Sequence, residues 1–203
     1  MTGERELKRI CVFCGAKDGS QPIYKEMATA LGAEMARRGI DLVYGGGNVG
    51  LMGAVATAVH ENGGHVIGVI PTALRARELS GETVNVDEEI VVDTMHERKQ
   101  RMVELADAFI SLPGGIGTLE ELAEALCWVQ LGVHDKPVSV LNVNGYWAPL
   151  VEMLNRGHEQ GFIRSRHASL LIDKSDVCEL LDALKIWKAP ASVVTWHPKP
   201  EDI

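Results

Sequence analysis

Two glycine-rich turns and one pair of adjacent cations carry the chemistry open to this chain. In Pro113-Gly114-Gly115-Ile116-Gly117-Thr118-Leu119-Glu120-Glu121 the small residues stand just before a helix, because Leu119, Leu122, Ala123, Leu126 and Val129 recur at helical spacing. A helix start presents unpaired N–H groups and the positive end of its dipole, and glycine lets an anion approach the backbone closely. The chemistry this predicts is phosphate binding, with donors at Gly115, Gly117 and Thr118. Thr118 to Glu121 also fits the Ser/Thr-x-x-Glu capping box. Taken alone, the segment allows either a capping or a chemical role for Glu121.

The second turn is Gly45-Gly46-Gly47-Asn48-Val49-Gly50-Leu51-Met52-Gly53. Gly45, Gly47 and Gly50 match GxGxxG after a strand, which raises a dinucleotide site. Such a site needs an acidic residue at the end of the next strand to hold the ribose diol. Here that strand ends at Pro71-Thr72, which argues against NAD. The expectation is a turn whose backbone, at Gly46 and Gly47, comes close to the ligand or to a neighbouring element. The cations are Arg98 and Lys99, in the first two turns of a helix opened by the capping box Thr94-Met95-His96-Glu97. Positive charge there opposes the helix dipole, and broken local rules gather at functional sites. A solvated basic patch is the competing reading.

The elements that must position these groups alternate along the chain. Strands are expected at Arg9–Cys14, Ile40–Tyr44, His65–Ile70, Glu89–Val92, Ala108–Leu112, Pro137–Val143 and Leu170–Ile172. Helices are expected from Pro22 to Gly39, through about Asn62, from Thr94, after Gly117, from Ala148 to Gly161 and from Asp176 to Trp187. Pro71 to Glu82, with Arg75, Arg77 and Glu78, reads as a connection. Strands alternating with helices imply an α/β fold, a Rossmann-like doubly wound parallel sheet flanked by helices. One domain is expected over residues 1–188, followed by a loosely held tail over 189–203. Ligands of such sheets bind at the carboxyl ends of strands, where strand order reverses. Both glycine turns and the Arg98 helix follow strand ends, so one crevice is expected to collect them.

Composition narrows the class. The chain has 203 residues, 46% hydrophobic and 24% charged, with net charge −8. That is an ordinary soluble composition, and its sign excludes general affinity for nucleic acid or anionic membranes. Met1 to Arg9 lacks the apolar core of a signal peptide, so a cytoplasmic location is expected. Cys11 and Cys14 resemble CxxC but sit in an apolar run without a second ligand pair, so they read as buried strand residues. No metal cluster and no cofactor are expected.

Pro-Gly-Gly-x-Gly-Thr-x-x-Glu at 113–121, Gly-Gly-Gly-x-x-Gly-Leu-Met-Gly at 45–53 and Met-His-x-Arg-Lys at 95–99 together resemble the LOG family of cytokinin-activating phosphoribohydrolases. The likeness runs from about Lys8 to Ile163. It implies hydrolysis of the N-glycosidic bond of cytokinin riboside 5′-monophosphates, and of AMP, to free base and ribose 5-phosphate. It implies catalytic roles for Arg98 and Glu121. It also implies a nucleotide site lined by Glu78, Arg98, Lys99, Gly114, Gly115, Ile116, Gly117, Thr118, Leu119 and Glu120, near a homodimer interface. Thr72 departs from the lysine that many members have. Lysine decarboxylation, an older label for such proteins, would need a Schiff-base lysine, and none stands out. The alternative is a nucleotide or molybdenum-cofactor carrier of similar fold, using the glycine turns without chemistry. The presence of both Arg98 and Glu121 argues against it.

Overall fold

Seven short strands, most of them apolar on both faces, stack in parallel and leave their helices to cover the two sides. The computed structural model describes residues 4–78 and 86–190. In chain order these form β1 (Arg9–Phe13), α1 (Pro22–Arg37), β2 (Asp41–Tyr44), α2 (Gly50–Glu61), β3 (Val66–Pro71), α3 (Thr72–Glu78) and β4 (Glu88–Val92). There follow α4 (Met95–Leu105), β5 (Ala108–Ser111), α5 (Ile116–Leu131), β6 (Val138–Leu141), α6 (Ala148–Glu159), β7 (Leu171–Lys174) and α7 (Val177–Ile186). The sheet order is β4-β3-β2-β1-β5-β6-β7. The α/β, Rossmann-like architecture expected from the alternation is the one observed.

Period-two alternation sorts each strand's side chains between two cores. Ile10 and Val12 of β1, Leu42 and Tyr44 of β2 and Ile110 of β5 pack with α1, α2 and α7. Cys11 and Phe13, Val43 and Phe109 pack instead with α4, α5 and the start of α6. The helix after β1 thus leaves to one face and the helix after β5 to the other, although β1 and β5 are paired, with Val12 opposite Ile110. Their carboxyl ends form the point of reversal where a doubly wound sheet opens a crevice. The same alternation separates the two cysteines: Cys11 belongs to one core and Cys14 to the other. Both are free and buried, and side chains on opposite faces cannot share a metal or a disulfide.

One local expectation is corrected. The stretch after Pro71, read as a connection, contains α3. Thr72, Ala73, Leu74, Arg75 and Ala76 include good helix formers. Long-range contacts pin the segment to β4: the Thr72 hydroxyl donates to the Val92 carbonyl at 3.2 Å, and Arg75 pairs with Glu89 at 2.7 Å. No local period reports such contacts. The expected tail falls largely outside the described residues, which end at Pro190 with no regular structure after α7. Among the described residues no helix is long and apolar enough to cross a membrane.

Gly32 shows how tightly α1 meets α2. A methyl group there would stand 2.5 Å from the Val55 carbonyl oxygen and 2.8 Å from Cβ of Ala58. Gly→Ala inside a helix ordinarily stabilises by about 0.5–1 kcal/mol. Gly32→Ala should instead destabilise by about 1–3 kcal/mol through overpacking, measured as a lower midpoint in urea at unchanged slope; a stabilised variant would contradict the close helix contact.

Candidate active site

Three chain reversals meet through Gly15, the first residue of the loop after Cys14. Its N–H donates to the Pro113 carbonyl at 3.1 Å, and its carbonyl accepts from the Leu51 N–H at 3.0 Å. The ends of β1 and β5 and the start of α2 are thereby tied at the level of the backbone. Only glycines fit the joints. A side chain at Gly114 would overlap the Thr118 side chain, and one at Gly50, which has φ +59, would overlap the Ala16–Lys17 backbone.

The α5 start is left bare of side chains. Its cap is Gly115, which offers no side-chain acceptor, and no acidic residue stands in the first turn. The N–H groups of Ile116, Gly117 and Thr118 are therefore available to an anion, with the dipole in favour. The capping box possible at Thr118–Glu121 is not formed. The helix begins before Thr118, so Thr118 is the third residue of its first turn, buried at 4% exposure. Glu121 lies half-buried about one turn further along.

Arg98 approaches from the other side. Thr94 caps α4, accepting from the Glu97 N–H at 3.1 Å, while the Glu97 carboxylate accepts from the Thr94 and Asp93 N–H groups. The predicted capping box is thus present. It sets the phase of α4 so that Arg98 and Met102 take its buried positions. Arg98 is only 6% exposed, and its Nη2 donates to the Gly45 carbonyl at 3.2 Å. The guanidinium fills the space a side chain at Gly45 would need. A buried cation is expensive, so its retention calls for a compensating role.

The thiols of β1 report where the two charges stand. Burial raises the pKa of both Cys11 and Cys14, the Glu121 carboxylate raises it further, and the Arg98 cation opposes. Both side chains are felt at both sulfurs. Arg98 and Glu121, 23 positions apart, therefore both stand within electrostatic reach of Cys11 and Cys14.

The other expected site residues divide. Gly46 and Gly47 are buried, and Gly46, with φ +78, packs closely against Ile70 of β3. Lys99 is held by Glu120 at 2.7 Å and Glu124 at 2.9 Å. Burial alone would lower its pKa, but the two carboxylates outweigh burial and raise it. Leu119 lines a separate apolar cavity of about 230 Å³ with Leu126, Leu150 and Leu154. Glu78 closes α3, but its side chain lies outside the described residues, as does Leu79–Thr83.

Sequence reasoning missed a cavity beside the glycine turns, one whose lining includes neither Arg98 nor Glu121. A cavity of about 440 Å³ opens between Gly15–Gly19 and Pro113–Gly115, walled by Tyr24, Leu51 and Tyr146. Tyr146 donates its hydroxyl proton to the Gly114 carbonyl and meets Tyr24 edge-on at 6.1 Å. The one sequence signal nearby is Asn144-Gly145, a turn dipeptide whose Asn144 adopts φ 51. Gly45, quoted only as part of a motif, proves to be the seat of Arg98. Among the described residues no cluster of His, Cys, Asp and Glu could hold a metal ion.

Comparison with known proteins follows the same lines. Residues 52–184 match the family described as possible lysine decarboxylase. The chain is 50% identical over 182 residues to a cytokinin riboside 5′-monophosphate phosphoribohydrolase of Arabidopsis thaliana, spanning 90% of this chain and 84% of that protein. A second Arabidopsis thaliana protein of the same name is 49% identical over 180 residues, spanning 89% and 83%. Among solved structures, the molybdenum cofactor carrier protein of Chlamydomonas reinhardtii superposes with a TM-score of 0.65 at 24% identity, covering 89% of this chain and 97% of that one. That last likeness is one of fold.

The seating of Arg98 on Gly45 can be tested without reference to any activity. Gly45→Ala should destabilise by about 1–3 kcal/mol, and adding Arg98→Ala should recover most of that loss, a coupling visible in a denaturation cycle. Strictly additive effects would contradict the contact.

Proposed function

Because the chain belongs to the LOG family of cytokinin riboside 5′-monophosphate phosphoribohydrolases, we propose that it hydrolyses the N-glycosidic bond of cytokinin riboside 5′-monophosphates, and of AMP, in the cytoplasm. The products are the free base and ribose 5-phosphate. The observation that carries this reading is an uncapped helix start at α5, in a sheet where a buried arginine, Arg98, and a carboxylate, Glu121, both act electrostatically on Cys14.

The residues fit the chemistry. The 5′-phosphate sits on the N–H groups of Ile116, Gly117 and Thr118, and this remote binding energy aligns the ribose. As the C1′–N bond lengthens, positive charge builds on the sugar, and the Glu121 carboxylate stabilises it. Water adds to C1′ and gives up a proton to Glu121, the bond's electron pair leaves with the base, and that proton then passes to the base nitrogen, which restores the carboxylate. Arginine stays protonated at any working pH and is a poor acid. Arg98 therefore positions Glu121 and offsets charge on the departing base. Gly45, by giving up its side chain, makes the room Arg98 needs.

We place a homodimer interface on α5 and α6. Ile116 is 83%, Met153 71% and Phe162 88% exposed, and Leu119 joins them beside the helix start. A second copy of the chain covering these side chains, with Phe162 just beyond α6, would bury their apolar surface, as closed symmetric pairs do.

Incubating the protein with isopentenyladenosine monophosphate and with AMP should release free base from both; folded protein that binds either nucleotide without turnover would favour the carrier reading instead. Glu121→Gln should lower kcat on the order of a hundredfold with nucleotide affinity kept, as expected when a transition-state contact is removed. By sedimentation the wild type should be a dimer and Met153→Glu with Phe162→Glu a monomer; a monomeric wild type would remove the interface.

A further inference from the structure

Lys99 follows Arg98 in sequence, and the residue it grips first, Glu120, precedes Glu121. We propose that Lys99 is a positioning residue rather than a ligand for the nucleotide: its ammonium locks α4 to α5 and so sets where Arg98 stands relative to Glu121. The proposal rests on the hydrolase reading for its kinetic consequences, and on the geometry of three side chains for its substance.

Glu120 and Glu124 are four positions apart on α5 and share one face of that helix. Two like charges so placed repel unless a cation lies between them. Lys99 Nζ donates to both, at 2.7 Å and 2.9 Å. Its side chain is only 11% exposed and that of Glu124 25%, so this arm of the bridge is less screened than a surface ion pair, while Glu120, 52% exposed, meets the ammonium from the solvent side. An ammonium has three protons, and two are committed here.

A role as phosphate ligand runs against this arrangement. The trio carries one more negative charge than positive, and a phosphate brought to it would meet two carboxylates beside the single ammonium. Were Lys99 to turn from its acceptors to a phosphate, Glu120 and Glu124 would be left facing one another without the cation between them. The bare N–H groups of α5 impose no such cost. What the bridge does supply is a fixed distance between two helix starts. Arg98 is anchored by its own contact at Gly45 and Glu121 by the α5 backbone. Lys99 joins the two supports at the neighbouring position on each helix. Small displacements of catalytic groups cost large factors in rate, which makes such a brace a kinetic feature and not only a structural one.

The two roles separate in three variants assayed with AMP. Lys99→Met should lower kcat about tenfold or more with KM within about threefold, and Lys99→Arg, which keeps the charge, should restore part of the rate. The decisive variant is Glu120→Gln with Glu124→Gln, which removes the acceptors and frees the ammonium. A brace predicts that kcat falls as in Lys99→Met; a phosphate ligand predicts that kcat holds and KM stays level or drops, and that result would overturn the proposal. Ribose 5-phosphate affinity, measured by calorimetry, gives a reading without turnover: it should stay within about threefold in Lys99→Met, whereas a loss of about tenfold would overturn the brace. That measurement stands even if the wild type releases no base, in which case the hydrolase reading fails separately. Should Lys99→Met not fold, Glu124→Gln alone carries the same comparison.

Discussion

Everything at the carboxyl end of this sheet hangs on the backbone tie at Gly15. One N–H and one carbonyl of a single residue join the turn after β5 to the start of α2. Such joints demand that main chain touch main chain, and side chains at Gly50 or Gly114 would stand in occupied space. The glycines are therefore a steric requirement of packing three reversals at one point. That packing brings the bare start of α5 beside the loop after β1 and the start of α2.

The electrostatic layout follows from the same economy. A chain with net charge −8 does not attract phosphate globally, so the attraction has to be local. Lys99, the cation next to Arg98, is committed to two carboxylates. The start of α5 offers an anion a set of peptide donors and a helix dipole, which add no formal charge. The cation over β1 is an arginine whose guanidinium is shielded from solvent on a glycine, and its field reaches the Cys11 and Cys14 thiols together with that of Glu121. In the proposed reaction the Glu121 carboxylate is the group that would stabilise positive charge on the sugar.

Much of this was legible in the residues. Alternation gave the parallel sheet, and the Thr94–Glu97 box gave the start of α4 to the residue. The two cations after that box broke a local rule, and one of them, Arg98, is buried against Gly45. Where sequence misled or fell short, long-range contacts were the cause. The segment after Pro71 is helical against β4 through Thr72 and Arg75. The Thr118–Glu121 box went unused because α5 begins earlier, at the glycines. Gly45 matters because a side chain from another helix occupies its vacant side, and Tyr146 reaches Gly114 across 32 positions. Neither contact leaves a trace in local pattern. The spacing of Cys11 and Cys14 suggested a pair, yet an odd offset of three along a strand sends the two to opposite cores.

The most direct measurement of the central claim is a crystal structure of Glu121→Gln with AMP bound, the substitution slowing turnover while keeping the side chain's shape. The phosphate is predicted on the N–H groups of Ile116, Gly117 and Thr118, with C1′ of the ribose between Arg98 and the substituted side chain. A phosphate seated elsewhere, or a sugar touching neither residue, would contradict the account.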